Sequence, residues 1–191
     1  MVFVDGAYLR HYLKEKWGNN EFSTGVFQQL VRELVGKVFY GQIFGELIRI
    51  YYYDAIVGEH EKAKRKKQKT FFDKLRRLPF CEVRLGSLVK SSTKGHKQKG
   101  VDILMAIDML GKAYEKHYEI AVLVAGDRDF VSLVKAAKNT GARVYGAYIE
   151  NHVAKTLLDS LDDYTMISEK TLEHLAKGKL RVGKDNKSTA T

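Results

Sequence analysis

Short runs rich in β-branched and aromatic residues alternate with segments whose apolar residues recur at helical spacing, and this alternation leaves few architectures open. MVFVD at the start is a brief β run closing on an acid. Val26, Phe27, Leu30, Val31, Leu34, Val35 and Val38 then repeat at helical intervals behind Ser23 or Thr24 as a candidate cap. ELIRIYYYDA reads as a second strand ending at Asp54. Residues 59–78 read as a helix with Ala63, Phe71, Leu75 and Leu78 on its inner stripe, and CEVRLGSLV as a third strand. SSTKGHKQKG is too polar and Gly-punctuated for an element and reads as a basic loop.

Asp102 to His117 is the most apolar helix, with Ile103, Leu104, Ile107, Leu110, Ala113 and Tyr114 expected to face inward, Met105, Ala106 and Met109 widening the stripe, and burial on most sides. YEIAVLVAG is a continuous apolar strand of the kind covered on both faces in a parallel sheet. DFVSLVKAAKNTG is a helix closed by Gly141, followed by the strand ARVYGAYI and a short helix over HVAKTLLDSL. YTMISE is a candidate sixth strand before a last helix from Ser168. The pattern predicts an α/β fold, a mostly parallel, doubly wound sheet of five to six strands with helices on both faces. One domain is expected over residues 1–176, with residues 177–191 as a basic, disordered tail.

In such sheets ligands bind beyond the carboxyl ends of the strands. Asp5 ends the first strand, Asp54 the second, Asp127 and Asp129 follow the fourth, and Asp102 opens the helix after the third. Capping of free helix N–H groups explains an acid such as Asp102 or Asp129 individually, but not the convergence of the set. Two carboxylates about 4 Å apart repel by ~4 kcal/mol at an effective dielectric of 20. A hard divalent cation relieves that cost, and an all-oxygen donor set favours Mg²⁺ or Mn²⁺ over zinc.

The charge distribution points to the partner. The chain carries a formal net charge of +10, yet its cations cluster. Residues 62–77 hold nine Lys/Arg against one acid, residues 90–99 four against none, and residues 177–191 five against one; the remainder has 15 basic and 21 acidic residues. Basic patches on an acidic body favour a polyanion, with salt-sensitive binding. Candidate contacts are Lys66, Lys67 and Lys69 in the basic helix, Lys94, His96, Lys97 and Lys99 in the basic loop, and Arg128 between two acids. His96 is also the candidate proton donor to a leaving oxygen, and Phe72 a candidate stacking platform. The single cysteine, Cys81, excludes an internal disulfide and is expected to be a buried apolar residue. No charged leader and no run near the roughly 18 apolar residues of a membrane span is present, so a soluble, cytoplasmic protein without a membrane partner is expected. A homodimer is the expected assembly, with no residue locating its interface.

VFVDGAYL, KGVDILMAIDML and VLVAGDRDFVSLVKAAKNTGARV resemble, in order, the three signature blocks of the NYN domain, in the LabA-like branch of the PIN-like ribonucleases. The resemblance covers roughly residues 1–168 and implies a Rossmann-like three-layer sandwich, a Mg²⁺/Mn²⁺-dependent phosphodiesterase site and an RNA substrate. Asp5, Asp102, Asp127 and Asp129 fall on the family's acidic positions, as catalytic and metal-binding residues. Asp108 matches the second block but leaves the helical face of Asp102, so it counts, with Asp54, as supporting. Tyr8 stands where the family usually carries Asn, which puts rate and substrate fit in question more than fold. A catalytically weak RNA-binding module on the same fold is the alternative. GDRDF also resembles a late motif of haloacid-dehalogenase-like phosphatases, but Asp5 is followed by Gly6 and Ala7, without the second acid that chemistry needs. A receiver-like domain wants paired acids after strand one, and a Walker NTPase wants G-x-x-x-x-G-K-[ST]; neither is present.

Overall fold

A computed structural model describes residues 1–18, 21–38, 45–91 and 95–178, at 38, 89–91 and 95–98 by backbone alone. Its elements in chain order are β1 (Val2–Asp5), α1 (Gly6–Trp17), α2 (Thr24–Val38), β2 (Ile50–Val57), α3 (Lys62–Arg76), β3 (Cys81–Ser91), β4 (Gly95–Lys99), α4 (Val101–Tyr114), β5 (Ile120–Val124), α5 (Val131–Asn139), β6 (Arg143–Tyr148), α6 (Lys155–Leu158), β7 (Asp163–Met166) and α7 (Glu169–Lys177). The sheet order is β4-β3-β2-β1-β5-β6-β7. Every neighbouring pair is parallel except β3 with β4. The predicted doubly wound fold is present, with six parallel strands and one antiparallel edge strand.

Alternation along the strands divides the core in two. Val2, Val4, Ile50, Tyr52, Val122 and Val124 join the layer filled by α1, α2, α3 and α7. Phe3, Tyr51, Tyr53, Leu123 and Val144 face the opposite layer, filled by α4 and α5. Strands buried on both faces read as unbroken apolar runs, which is why they were legible. Cys81 is buried as expected, and burial pushes its thiol up to about 12, beyond reactive range at neutral pH.

Four expectations need correction. The polar stretch taken as a loop holds a strand: β4 forms an antiparallel hairpin with β3, Lys99 opposite Ser87 and Gly95 opposite Ser91. An edge strand of this kind is held by main-chain hydrogen bonds and needs no apolar face. Asp54 does not end β2, which continues through Ala55, Ile56 and Val57 beside β3. Helix α4 is not buried on most sides. Val101, Met105, Met109 and Ala113 face the sheet, while Ile103, Ile107 and Tyr114 stand 65%, 65% and 68% exposed. An all-round apolar helix carries no periodicity to say which face meets the sheet. In α3, Ala63 is exposed, and Phe72, expected as a stacking candidate, is fully buried beside Phe71 and Leu75.

The order of strands places the site. Connections from β1 run outward to β2 and β3 on one side, while β5, β6 and β7 lie on the other. The switch therefore falls between β1 and β5, where open α/β sheets leave a crevice. Among the described residues no helix is long and apolar enough to cross a membrane.

Candidate active site

Asp5 is the last residue of β1, and the chain turns straight into α1 behind it. Its Oδ1 accepts the Tyr8 N–H at 3.0 Å, capping the helix. Across the switch point, β5 ends at Val124, and Asp127 lies three residues further on. Its Oδ1 accepts the Asp129 N–H at 3.0 Å and caps a single 3₁₀ turn over Arg128–Phe130 that leads into α5. Capping thus belongs to Asp5 and Asp127, not to Asp102 and Asp129 as the sequence suggests. Gly126 keeps the loop tight: a Cβ there would lie 2.2 Å from the His152 carbonyl oxygen and 2.6 Å from the Tyr8 ring. Asp102 sits in the first turn of α4, whose N-terminal cap is Gly100 at φ +84°.

Asp5 and Asp127 share one open cleft of ≈ 520 Å³ with Tyr8, His11, Lys14 and Leu88. Burial pushes the Asp5 carboxyl up to about 7, opposed by the Tyr8 N–H and reinforced by the charges of Asp102 and Asp54. Asp102 is also held above its ordinary range, by partial burial first and then by Asp127 and Asp129. Asp102 thus acts on Asp5, and Asp127 and Asp129 act on Asp102.

Asp54 and Asp108 play a different part. Asp54 is 2% exposed at the floor of the cleft, and its carboxylate accepts from Arg10 at 2.8 Å, Tyr52 Oη at 3.0 Å and the Ala55 N–H at 2.7 Å. Asp108, on α4, accepts from Tyr53 Oη at 3.0 Å and pairs with Lys112 at 3.1 Å and Arg84 at 3.2 Å. Both are engaged by partners within the fold, while Asp54 also lines the cleft and its charge acts on Asp5. Tyr8 is tied as well: its hydroxyl accepts the Ile149 N–H at 2.7 Å, bridging α1 to the end of β6. Burial pushes its phenol up, so it keeps a proton to donate.

The basic candidates are less concentrated than the sequence implied. Lys66 and Lys67 lie along a separate hollow of ≈ 360 Å³ with Glu21, Phe22 and Thr70, and Lys67 is 3.7 Å from Glu21. Lys69 and Lys99 are exposed. Arg128 is 4.0 Å from Asp129 with both side chains largely exposed, a geometry of little energetic weight. Lys94 lies outside the described residues, and of His96 and Lys97 only the strand position is described. The residues missed by the sequence reading are Arg10, His11 and Lys14, which line the cleft from α1. Only Leu9 and Leu13 mark the buried side of that helix, too few apolar positions to announce it. An acid followed at helical spacing by three basic side chains was the available signal.

The family model for the NYN domain matches residues 1–169. The chain belongs to the NYN domain family. NYN domains belong to the PIN-like nuclease superfamily and are generally nucleases. The fold is similar to the crystal structure of VPA0982, a protein of unknown function from Vibrio parahaemolyticus. The TM-score is 0.63 at 21% identity, over 88% of this chain and 91% of that one. No curated protein matches this chain. PIN-like nucleases usually use divalent metals. The donor set here suits such an ion in chemistry, since Asp5, Asp102, Asp127 and Asp129 offer only hard carboxylate oxygens. Among the described residues no three acidic or histidine side chains already stand close enough to hold one.

Proposed function

We propose that this NYN domain is a Mg²⁺- or Mn²⁺-dependent ribonuclease that hydrolyses RNA phosphodiester bonds at the carboxyl edge of its sheet. One observation carries the reading. Asp5 and Asp127 line one cleft at the topological switch point and Asp102 acts electrostatically on Asp5, none of the three with a cationic side chain paired to it among the described residues, while Asp54 and Asp108 nearby are paired. Uncompensated carboxylates are costly to gather unless a cation arrives from outside.

Asp5, Asp102 and Asp127 would hold the ion, Asp5 through the carboxylate edge not engaged by the Tyr8 N–H. When bound, a divalent ion lowers the pKa of a water and offsets charge on the scissile phosphate. Asp129, 76% exposed and turning on a short side chain, is placed to orient the attacking water. Tyr8 keeps its O–H to donate toward the cleft while its oxygen holds the Ile149 amide. RNA as the substrate and the cytoplasm as its location belong to the same reading.

A second reading, a weak or inactive RNA-binding module, draws on Tyr8. Its ring fills the space beside Gly126, and its oxygen is committed to the Ile149 N–H, whereas an Asn there could hold a water or a phosphate oxygen. Labelled single-stranded RNA incubated with Mg²⁺, Mn²⁺ or EDTA separates the two. Metal-dependent cleavage that disappears in a folded Asp127→Asn variant supports the ribonuclease. Salt-sensitive binding without cleavage, unchanged in that variant, supports the module.

A further inference from the structure

An acidic cleft repels the polyanion it is meant to cut, so the strand must be held by cations at the rim. Among the described residues three basic side chains line this cleft, all from α1. Arg10 is 2.8 Å from Asp54 and largely buried. His11 lies 3.9 Å from Glu15, with both side chains exposed. Lys14 is exposed and forms no ion pair with any described residue, unlike its neighbour Lys16, which is 3.0 Å from Glu169. Ala7, His11 and Lys14 recur at intervals of four and three, so they form one stripe of α1 leading away from Asp5. Nine residues at 1.5 Å rise put Lys14 about 13 Å along the helix from Asp5. That is too far for the scissile phosphate and suited to one further along the same strand.

We propose that Lys14 is a substrate-binding residue of this cleft, contacting an RNA backbone phosphate beyond the scissile one, with His11 lining the path between. The inference rests on the reading of the cleft as an RNA site. It assigns the hold on substrate to α1, not to the lysines of α3, whose hollow is separate. A lysine here acts as a point charge, so arginine should replace it and glutamine should not.

The test is binding of a short fluorescein-labelled oligouridylate, read by anisotropy in EDTA over a series of KCl concentrations. Wild type, Lys14→Gln and Lys14→Arg are compared with Lys66→Gln on α3 and Lys135→Gln on α5, both exposed and outside the cleft. Lys14→Gln should weaken binding about fivefold at low salt and reduce the slope of log affinity against log salt by ~0.7, the loss of one single-strand phosphate contact. Lys14→Arg should restore both, and the two distant variants should change neither. Wild-type binding with Lys14→Gln unchanged, or with Lys66→Gln equally impaired, overturns this inference and leaves the ribonuclease reading standing. No binding by wild type overturns this inference as well, while the ribonuclease reading falls only if the metal-dependent cleavage test fails.

Discussion

Two sets of aspartates sit within the same part of this molecule and live by opposite rules. Asp54 and Asp108 are each surrounded by donors: Arg10, Tyr52 and a backbone amide for the first, Arg84, Lys112 and Tyr53 for the second. Asp5 receives the backbone N–H groups of Tyr8 and Ala7, Asp127 that of Asp129, neither receives a cationic side chain among the described residues, and Asp102 interacts electrostatically with both. The first set is satisfied by the fold and holds it together. The second is left wanting charge, the expected state of a site that draws its cation from solution. Position in sequence does not separate the sets, since Asp5 and Asp54 both follow apolar strand residues. Only the partners do.

Substitutions should break the two sets differently. Asp54→Ala leaves the Arg10 guanidinium buried without its carboxylate, and urea unfolding should show a loss of about 3–5 kcal/mol. Asp127→Asn keeps a capping side chain on an exposed loop and should stay within about 0.5 kcal/mol of wild type. Equal losses would erase the distinction.

Asp5→Asn should move stability the other way. The Asp5 carboxyl is pushed from 3.8 up to about 7 in the folded chain, so the folded state binds more protons than the unfolded one between those values. Metal-free wild type should therefore lose stability as pH rises from about 4 to about 7. Replacement by Asn removes that dependence, with a gain of about 2 kcal/mol at pH 8 after discounting for the part of Asp5 open to the cleft. Denaturation midpoints across pH check it; a variant less stable than wild type at pH 8 would place Asp5 with the structural acids. The smallest effect is expected at Asp108. Its cations are partly exposed, so Asp108→Asn should cost about 1 kcal/mol, read by the same unfolding measurement.

The parts of the fold that were legible are those where burial leaves a one-dimensional trace. Val2–Asp5, Ile50–Tyr53 and Ile120–Val124 are covered on both faces, so their apolar runs are continuous. Strand β4 leaves no such trace, because its ladder is made of backbone groups that GHKQK supplies as well as any other sequence. Helix α4 fails for the opposite reason, apolar on all sides with Ile103 and Ile107 turned outward. In the site, Asp5 and Asp127, which line the cleft, could be named from strand ends and family blocks. That Asp54 has Arg10 from α1, 44 residues away, is a tertiary fact no local pattern carries. The same holds for Tyr8, whose hydroxyl meets Ile149 across 141 residues.

Asp5, Asp102 and Asp127, the acids without a cationic partner among the described residues, are expected to form one cation site. Titration of the metal-free protein with Mn²⁺, followed by the electron paramagnetic resonance signal of the free ion, tests it without relying on turnover. Wild type should take up Mn²⁺, and Asp5→Asn or Asp127→Asn should weaken uptake at least tenfold while remaining folded. Uptake unchanged in both variants, or absent in wild type, would contradict the account.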